Sequence, residues 1–406
     1  MNRLTSLLLT AVLFLLSSSS MAGPAAYVLN SLGETISRID LTDQTVRNDL
    51  LAVGSDFGSA PNQIIVHGQK GLVLMSVTNE IQIIDLITES TTGYIDLPVG
   101  SNPFRMVLYN PDVIYVSLLL DNAVARVNLS LETIDTLISV GKSPEGMVIH
   151  DHKLYVANTG FDWSTYTYSP GSVTVIDLIT GSLLTTVSVG LNPQYMVCDT
   201  LGRIHVACTG DYWSSFGVVY IIDGQDDTVV DSIALGGSPG HIALGADQIV
   251  YLAAGGWSGN GLVFSYNSVS GEVYSNAASP TEVDTGCVAV VGYIDSSLFT
   301  VSMSDRVGRF DRSGVNVGSY ILGDGPLSID FNYVTGDLNN DFAVDISDLT
   351  ALVNYLFVDY ETLPWPSWRS NTNGDFSCDI SDLTMMVNHL FVTYQPLIDG
   401  PRWIRP

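Results

Sequence analysis

The sequence predicts a mainly β chain: a seven-bladed β-propeller closed by one strand from its C-terminal end and three from its N-terminal end, followed by a small α-helical, EF-hand-like calcium domain. Three observations carry this. A pattern of short apolar strands recurs at spacings of 40 to 50 residues between residues 26 and 333. Hydrophobic residues make up 46% of the chain, charged residues only 14%, and there are 37 glycines, which suits many buried strands joined by tight turns. From Gly336 onward the composition shifts, and two acidic segments align with one another.

Charge narrows the range of functions. The 406 residues carry 42 acids against 15 bases, a net charge of -27, so a nucleic-acid polyanion would be repelled over most of the surface. Residues 1–22 have the form of an export signal. Arg3 is followed by the apolar run LTSLLLTAVLFLL and by small residues at Ser20-Met21-Ala22, which predicts cleavage after Ala22 and a secreted, extracellular protein, free or held at a cell surface. No later stretch approaches the 18 or so apolar residues that a transmembrane helix needs. The cysteines Cys198, Cys208, Cys287 and Cys378 show neither a disulfide framework nor zinc spacing, and buried free thiols are expected. Pairing across the hairpin that turns near Leu201-Gly202 is expected to set Cys198 opposite His205.

Each repeat has four parts. A first apolar strand leads through a turn to a second, as in KLYVANTG at 153–160 and IHVACTG at 204–210. A third follows, as in SVTVIDLITG at 172–181, and the fourth ends in a G-x-x-P turn at Gly100–Pro103, Gly141–Pro144, Gly190–Pro193, Gly236–Pro239 and Gly323–Pro326. The second-strand position falls at Tyr27, Val73, Tyr115, Tyr155, His205, Tyr251 and Phe299, which counts seven blades over residues 23–333. LYVANTG followed by VTVIDLITG and VGLNP resembles the YVTN-type β-propeller repeat family, and the resemblance implies the fold more than an activity. The chain enters at a second strand (26–30) and the repeats finish with a lone first strand (327–332). That last strand is therefore expected to become the innermost strand of the blade formed by residues 26–53, leaving no open edge.

Turns entering the first strands and turns joining second to third strands share one propeller face. The former bring Gln63, Arg105, Glu145, Gln194 and His241 toward the mouth of the central channel, where Arg105, Glu145 and His241 could do acid–base work or simply line a hydrated channel. The latter are enlarged in three successive blades and align on tryptophan: TGFDWSTYTY at 159–168, TGDYWSSF at 209–216 and AGGWSGN at 254–260. Trp163, Trp213 and Trp257, with Tyr166 and Tyr212 and flanked by Tyr168 and Phe216, would form a rigid aromatic face for a glycan or protein partner, or else fold back onto the rim. The six histidines do not cluster as copper ligands, and no haem-attachment motif is present.

The C-terminal segments are DLNNDFAVDISDLTALVNYLFV (337–358) and NTNGDFSCDISDLTMMVNHLFV (371–392), identical at 14 of 22 positions. Oxygen donors fall at positions 1, 3, 5, 9 and 12 of a 12-residue loop, with a backbone carbonyl at position 7. The first set is Asp337, Asn339, Asp341, Ala343, Asp345 and Asp348; the second is Asn371, Asn373, Asp375, Ser377, Asp379 and Asp382. This spacing suits a hard cation that needs six or seven oxygens, so two Ca²⁺ sites are expected, the second weakened by Asn371. Each loop leads into a helix with a stripe at Leu349, Leu352, Val353, Leu356 and Phe357, or at Leu383, Met386, Val387, Leu390 and Phe391. The duplicated loop–helix unit with Asp at position 12 resembles a dockerin domain, over residues 336–392, followed by a tail at 393–406. That resemblance implies a cohesin-like partner, chosen by Ile346-Ser347 and Ile380-Ser381, whose repetition would permit two binding orientations. Phe342 and Phe376 depart from the usual Gly at position 6. The intervening DYETLPWPSWRS is expected to pack its aromatics on the helices.

The reading that follows is an exported, non-catalytic binding or display protein with an aromatic ligand face and a calcium-stabilised attachment module. Two alternatives stay open: a lactonase-like or carbohydrate-active hydrolase using Arg105, Glu145 and His241, and a structural surface-layer protein.

Overall fold

The computed structural model describes residues 23–256, 259–358 and 366–399. The export segment 1–22, Trp257, Trp365 and residues 400–406 of the tail lie outside the described residues. Seven antiparallel sheets stand radially around a central channel, and each runs from an inner first strand to an outer fourth strand. The closure follows the expected scheme. Pro326–Phe331 pairs with Ala25–Asn30, which continues to Thr35–Asp40 and Val46–Ala52, so one C-terminal and three N-terminal strands make a single blade. In the sixth blade the outer strand is split into Val273–Ser275 and Thr281–Val283, both paired to Gly261–Asn267.

Burial explains why the strands read as continuous apolar runs. Middle strands such as Ala25–Asn30 and Val113–Leu118 are buried at every residue, because both faces of a blade pack against neighbours. Outer strands such as Thr133–Ser139 and Thr228–Ala234 are largely exposed and polar. The apolar clusters lie between blades: Leu72, Leu74 and Ile83 of the second blade pack with Ile114, Val116 and Val127 of the third.

The turn at each G-x-x-P element reverses the chain from the outer rim to the channel. In all but one of these turns the residue before proline is in the left-handed region, with φ of +50° at Ala60, +49° at Asn102, +51° at Ser143, +57° at Asn192 and +64° at Gly325; in the turn ending at Pro239 the positive φ falls on Gly236 (+73°) and Gly237 (+58°) instead. A side chain from the turn between second and third strands pins several of these residues: Asn79 Oδ1 accepts from Asn102 N (3.0 Å), Asn122 Oδ1 from Ser143 N (2.8 Å) and Asp305 Oδ1 from Gly325 N (3.0 Å). All four cysteines are free, as expected. The register of the hairpin differs by one residue from the expected one: Cys198 faces Ile204, and His205 faces Val197. Asp199 holds the turn open to five residues by accepting from Leu201 N and Arg203 N.

Behind the propeller, helices α1 (Ile346–Val353) and α2 (Ile380–Val387) start at Asp345 and Asp379, each closed by a reciprocal cap with the Asp three residues on. Leu338, Leu352 and Met386 form their shared core, with Leu349, Leu356, Leu383 and Leu390 around it. Each helix then widens into one π-helical turn, Asn354–Val358 and Asn388–Val392. That turn advances the phase of the last residues, so Phe357 and Phe391 leave the expected stripe and are each 53% exposed.

Phe331 on the closing strand packs against Tyr293 (centroids 4.7 Å apart) and Phe299 (5.1 Å). Phe331→Ala is expected to cost about 3–5 kcal/mol and to lower the urea midpoint of the propeller transition.

Candidate functional site

Alternation along the inner strands decides which side chains reach the channel. Gln63, Arg105 and His241 line its mouth, as does Ser328 of the closing strand. Glu145 and Gln194 do not belong to this ring. They directly follow Pro144 and Pro193, whereas Gln63, Arg105 and His241 each stand two residues after the turn proline, so in these two blades the ring position falls to Gly146 and Tyr195. Only glycine fits there: a Cβ on Gly146 would come within 2.4 Å of the Gln194 carbonyl oxygen and 2.8 Å of Tyr195 Cα. Tyr195, which the sequence reading passed over, organises the mouth. The Arg105 guanidinium lies 4.9 Å over its ring, and His241 stacks at a tilt from it at 5.1 Å.

Glu145 is 9% exposed, and its Oε2 has no hydrogen-bond partner. Burial raises its pKa to about 8, and the Gln194 amide and Arg105 charge pull it back only in part. It is therefore largely a neutral acid at pH 7. His241 is pushed down to about 3 by burial and then by the Arg105 charge, so it is a neutral imidazole; its Nδ1 accepts from Val290 N at 3.4 Å. What exposure His241 has faces the channel.

The aromatic loops divide in behaviour. Trp163 folds back: its Nε1 donates to Ser143 Oγ (3.2 Å), and its ring packs edge-on against Phe161 at 4.9 Å, leaving it 47% exposed. Trp213 is 87% exposed, and Tyr212 and Phe216 of its loop and Tyr166 of the preceding blade's loop are exposed as well. No ring contact joins Trp163 to Trp213 among the described residues. Asp162 and Asp211 shape the two tips by accepting from the backbone N–H groups that follow them. The loops and the mouth form one surface. The pKa of Tyr168, pushed up to about 12, and that of Tyr212, also raised, respond first to burial and then to close neighbours that include Glu145.

In the first C-terminal loop, carboxylate oxygens of Asp337, Asp341 and Asp348 lie within 4.8 Å of one another. Asp348 also accepts from Leu338 N, Asn339 N and Asp345 N, which fixes the loop closed. Asp345 is turned to cap α1, and the Asn339 amide reaches Asp341 and Ser347. Buried Arg369 sits 3.6 Å from Asp337 and donates to Asn340 Oδ1 at 2.5 Å. No comparable convergence of three carboxylates is found in the second loop among the described residues. There Asn371 Oδ1 accepts from Gly374 N while its amide donates to the Asp375 carbonyl, and Asp379 caps α2. The first donor set has the chemistry to hold a hard cation; the second has an amide where the first has its innermost carboxylate.

The two phenylalanines at position 6 take different roles. Phe342 adopts φ +65°, the left-handed backbone that a glycine would take. Phe376 instead leaves the loop and packs on the propeller, 5.2 Å from Tyr109 and 4.4 Å from His152. Trp368 also turns to the propeller, meeting Tyr333 at 5.7 Å, rather than packing on the helices. The C-terminal module is thus seated on the face away from the channel mouth.

No protein-family model matches the chain, and no curated protein matches it by sequence. Solved structures do. The chain is similar to hydrazine synthase of Kuenenia stuttgartiensis, with 16% identity over 68% of this chain and 91% of that one and a TM-score of 0.57. It is also similar to U3-55K (12% identity, 67% and 85% covered, TM-score 0.55) and to a streptogramin B lyase (12%, 66% and 85%, TM-score 0.53). At such identities the likeness shows the propeller fold alone.

Because the folded-state pKa of Glu145 lies above its unfolded value near 4.5, its stabilising effect is fully present below pH 4.5 and is lost as pH rises toward 8. Glu145→Gln, uncharged at every pH, is expected to be more stable relative to wild type at pH 8 than at pH 5, by a few kcal/mol, in paired urea titrations. Phe376→Ala is expected to unseat the C-terminal module, read as faster proteolytic cutting between the propeller and α1.

Proposed function

We propose that this is an exported binding protein. Its propeller recognises a glycan or protein on the mouth face, and its C-terminal module is dockerin-like, stabilised by calcium and used for attachment. The observation that carries the recognition half is the exposure of Trp213 at 87%, together with exposed Tyr212 and Phe216 on its loop and exposed Tyr166 on the preceding blade's loop. Large aromatic rings held on ordered loops lose little conformational entropy on binding and stack on sugar faces or anchor a partner chain. Trp213 and Tyr212 are the main contacts in this reading, with Tyr166 secondary. Trp163 supports its loop, and Trp257 lies outside the described residues.

For the module, Asp337, Asp341 and Asp348 would hold Ca²⁺, aided by Asn339 and the Ala343 carbonyl, and the second loop would bind more weakly through Asp375, Asp379 and Asp382. Calcium supplies there the positive charge that offsets clustered carboxylates; residues 336–392 contain nine acids and one Arg. Seating the module through Phe376 leaves Ile346 and Ile380 free, at 64% and 63% exposure, which supports attachment to a cohesin-like partner through either half. A second reading, catalysis at the mouth, draws on one observation: a neutral acid, Glu145, beside the Arg105 charge. Enzymes such as the streptogramin B lyase share the fold, and in this reading Glu145 would donate a proton while Arg105 holds an anionic group.

A glycan and cell-surface array probed with the full chain is expected to show binding that Trp213→Ala and Tyr212→Ala weaken about tenfold or more; equal binding by both variants would move recognition off the loops. Calcium is expected to raise the melting temperature of the C-terminal transition in scanning calorimetry. Asp337→Ala should remove most of that rise, and Asn371→Asp should enlarge it.

A further inference from the structure

The lower end of the central channel is lined by the C-terminal module. Pro366 and Trp368 of the segment between the two acidic loops reach its lower end, so a cavity of about 440 Å³ lies beneath the mouth with the C-terminal module as its floor. Its wall is apolar. Directly below the ring of Gln63, Arg105 and His241, the inner strands contribute Ile65, Val107, Val148, Val197, Ala243 and Val291. A small-molecule site is commonly a concave pocket of roughly 300–1,000 Å³ with apolar walls and a few placed polar groups. This cavity has that size and that distribution.

The polar group at its entrance is a cation without a partner. Ion pairs engage Arg38, Arg47, Arg126, Lys142, Lys153, Arg203, Arg309, Arg312 and Arg369 with carboxylates. None engages Arg105, whose guanidinium rests on Tyr195 and makes no hydrogen bond among the described residues. Among the described residues Lys70 and Arg306 also lack an ion pair, but both are exposed to solvent, whereas Arg105 is half-buried. Glu145, whose carboxyl feels the Arg105 charge, is held mostly neutral by burial and so offsets little of it. Farther down, Asp330 also lines the cavity, its carboxylate accepting from Val66 N at 2.7 Å, and it would repel an anion placed there.

We propose that the channel is a binding site for a small monocarboxylate with an apolar body, the carboxylate meeting Arg105 at the mouth and the apolar part lying among the valines above Trp368. Tail-first entry follows from the arrangement, since apolar wall and Asp330 both exclude charge from the lower half while Arg105 retains it at the entrance. The cavity lining includes no residue of the aromatic loops, although Arg105 stands on the mouth surface that they border.

Isothermal titration of the full chain with octanoate and with 3-phenylpropanoate, beside octan-1-ol and octylamine, tests this. Saturable one-to-one binding of the two acids is expected, with the alcohol and amine at least tenfold weaker. Arg105→Gln should weaken octanoate tenfold or more, Arg105→Lys should restore most of the loss, and Lys70→Gln, which removes an exposed cation on the face away from the mouth, should change nothing. Val148→Trp, if folded by circular dichroism, should block binding by filling the cavity. Absence of saturable octanoate binding, indifference to Arg105→Gln, equal binding of octanol, or an equal loss on Lys70→Gln would each overturn the proposal.

Discussion

Everything in this molecule hangs on the pairing of Pro326–Phe331 with Ala25–Asn30. A blade cannot bury both faces unless it has neighbours on both sides, and an open row of blades would leave two unpaired edges. Joining the ends removes both edges and fixes the radius of the channel. It also places Ser328, Ile329 and Asp330 in the channel wall, so that the site depends on residues separated from the mouth arginine by more than two hundred positions. Asn332 extends the closure by accepting from Ala25 N through its side chain at 2.6 Å.

The mouth shows how geometry assigns chemistry that composition leaves open. Glu145 and Arg105 are oppositely charged residues of adjacent blades, and an ion pair would be the ordinary outcome. The chain places Glu145 one residue before the channel position, so it is buried beside Gln194 and stays mostly protonated, while Arg105 finds the Tyr195 ring. Desolvation without a compensating hydrogen bond at Oε2 outweighs the attraction of a cation that lies beyond ion-pair distance.

The C-terminal module follows a different logic. Its loops and helices repeat one sequence, yet the two halves are not used alike. Phe342 stays in its loop with strained backbone, whereas Phe376 leaves its loop for Tyr109 and His152. Duplication gives the module two similar surfaces; the propeller engages the second half and the intervening segment, and Trp368 thereby becomes the channel floor.

The sequence by itself determined the blade count, the strand order within blades, the closing strand, the free cysteines and the two acidic loops. All of these are local or periodic, written in strand alternation, turn residues and the spacing of oxygen donors. It also brought Gln63, Arg105 and His241 to the mouth, in one group with Glu145 and Gln194, because all five stand just after the turns that enter the first strands. Only the tertiary structure decided that Glu145 and Gln194 fall outside the channel ring, that Tyr195 stands in it, that Trp163 folds back while Trp213 stays exposed, and that Phe376 and Trp368 belong to the propeller. The physical reason is that a one-residue offset in a strand reverses the facing of a side chain. The partner of an aromatic ring, moreover, is set by long-range packing between modules, to which no local pattern refers.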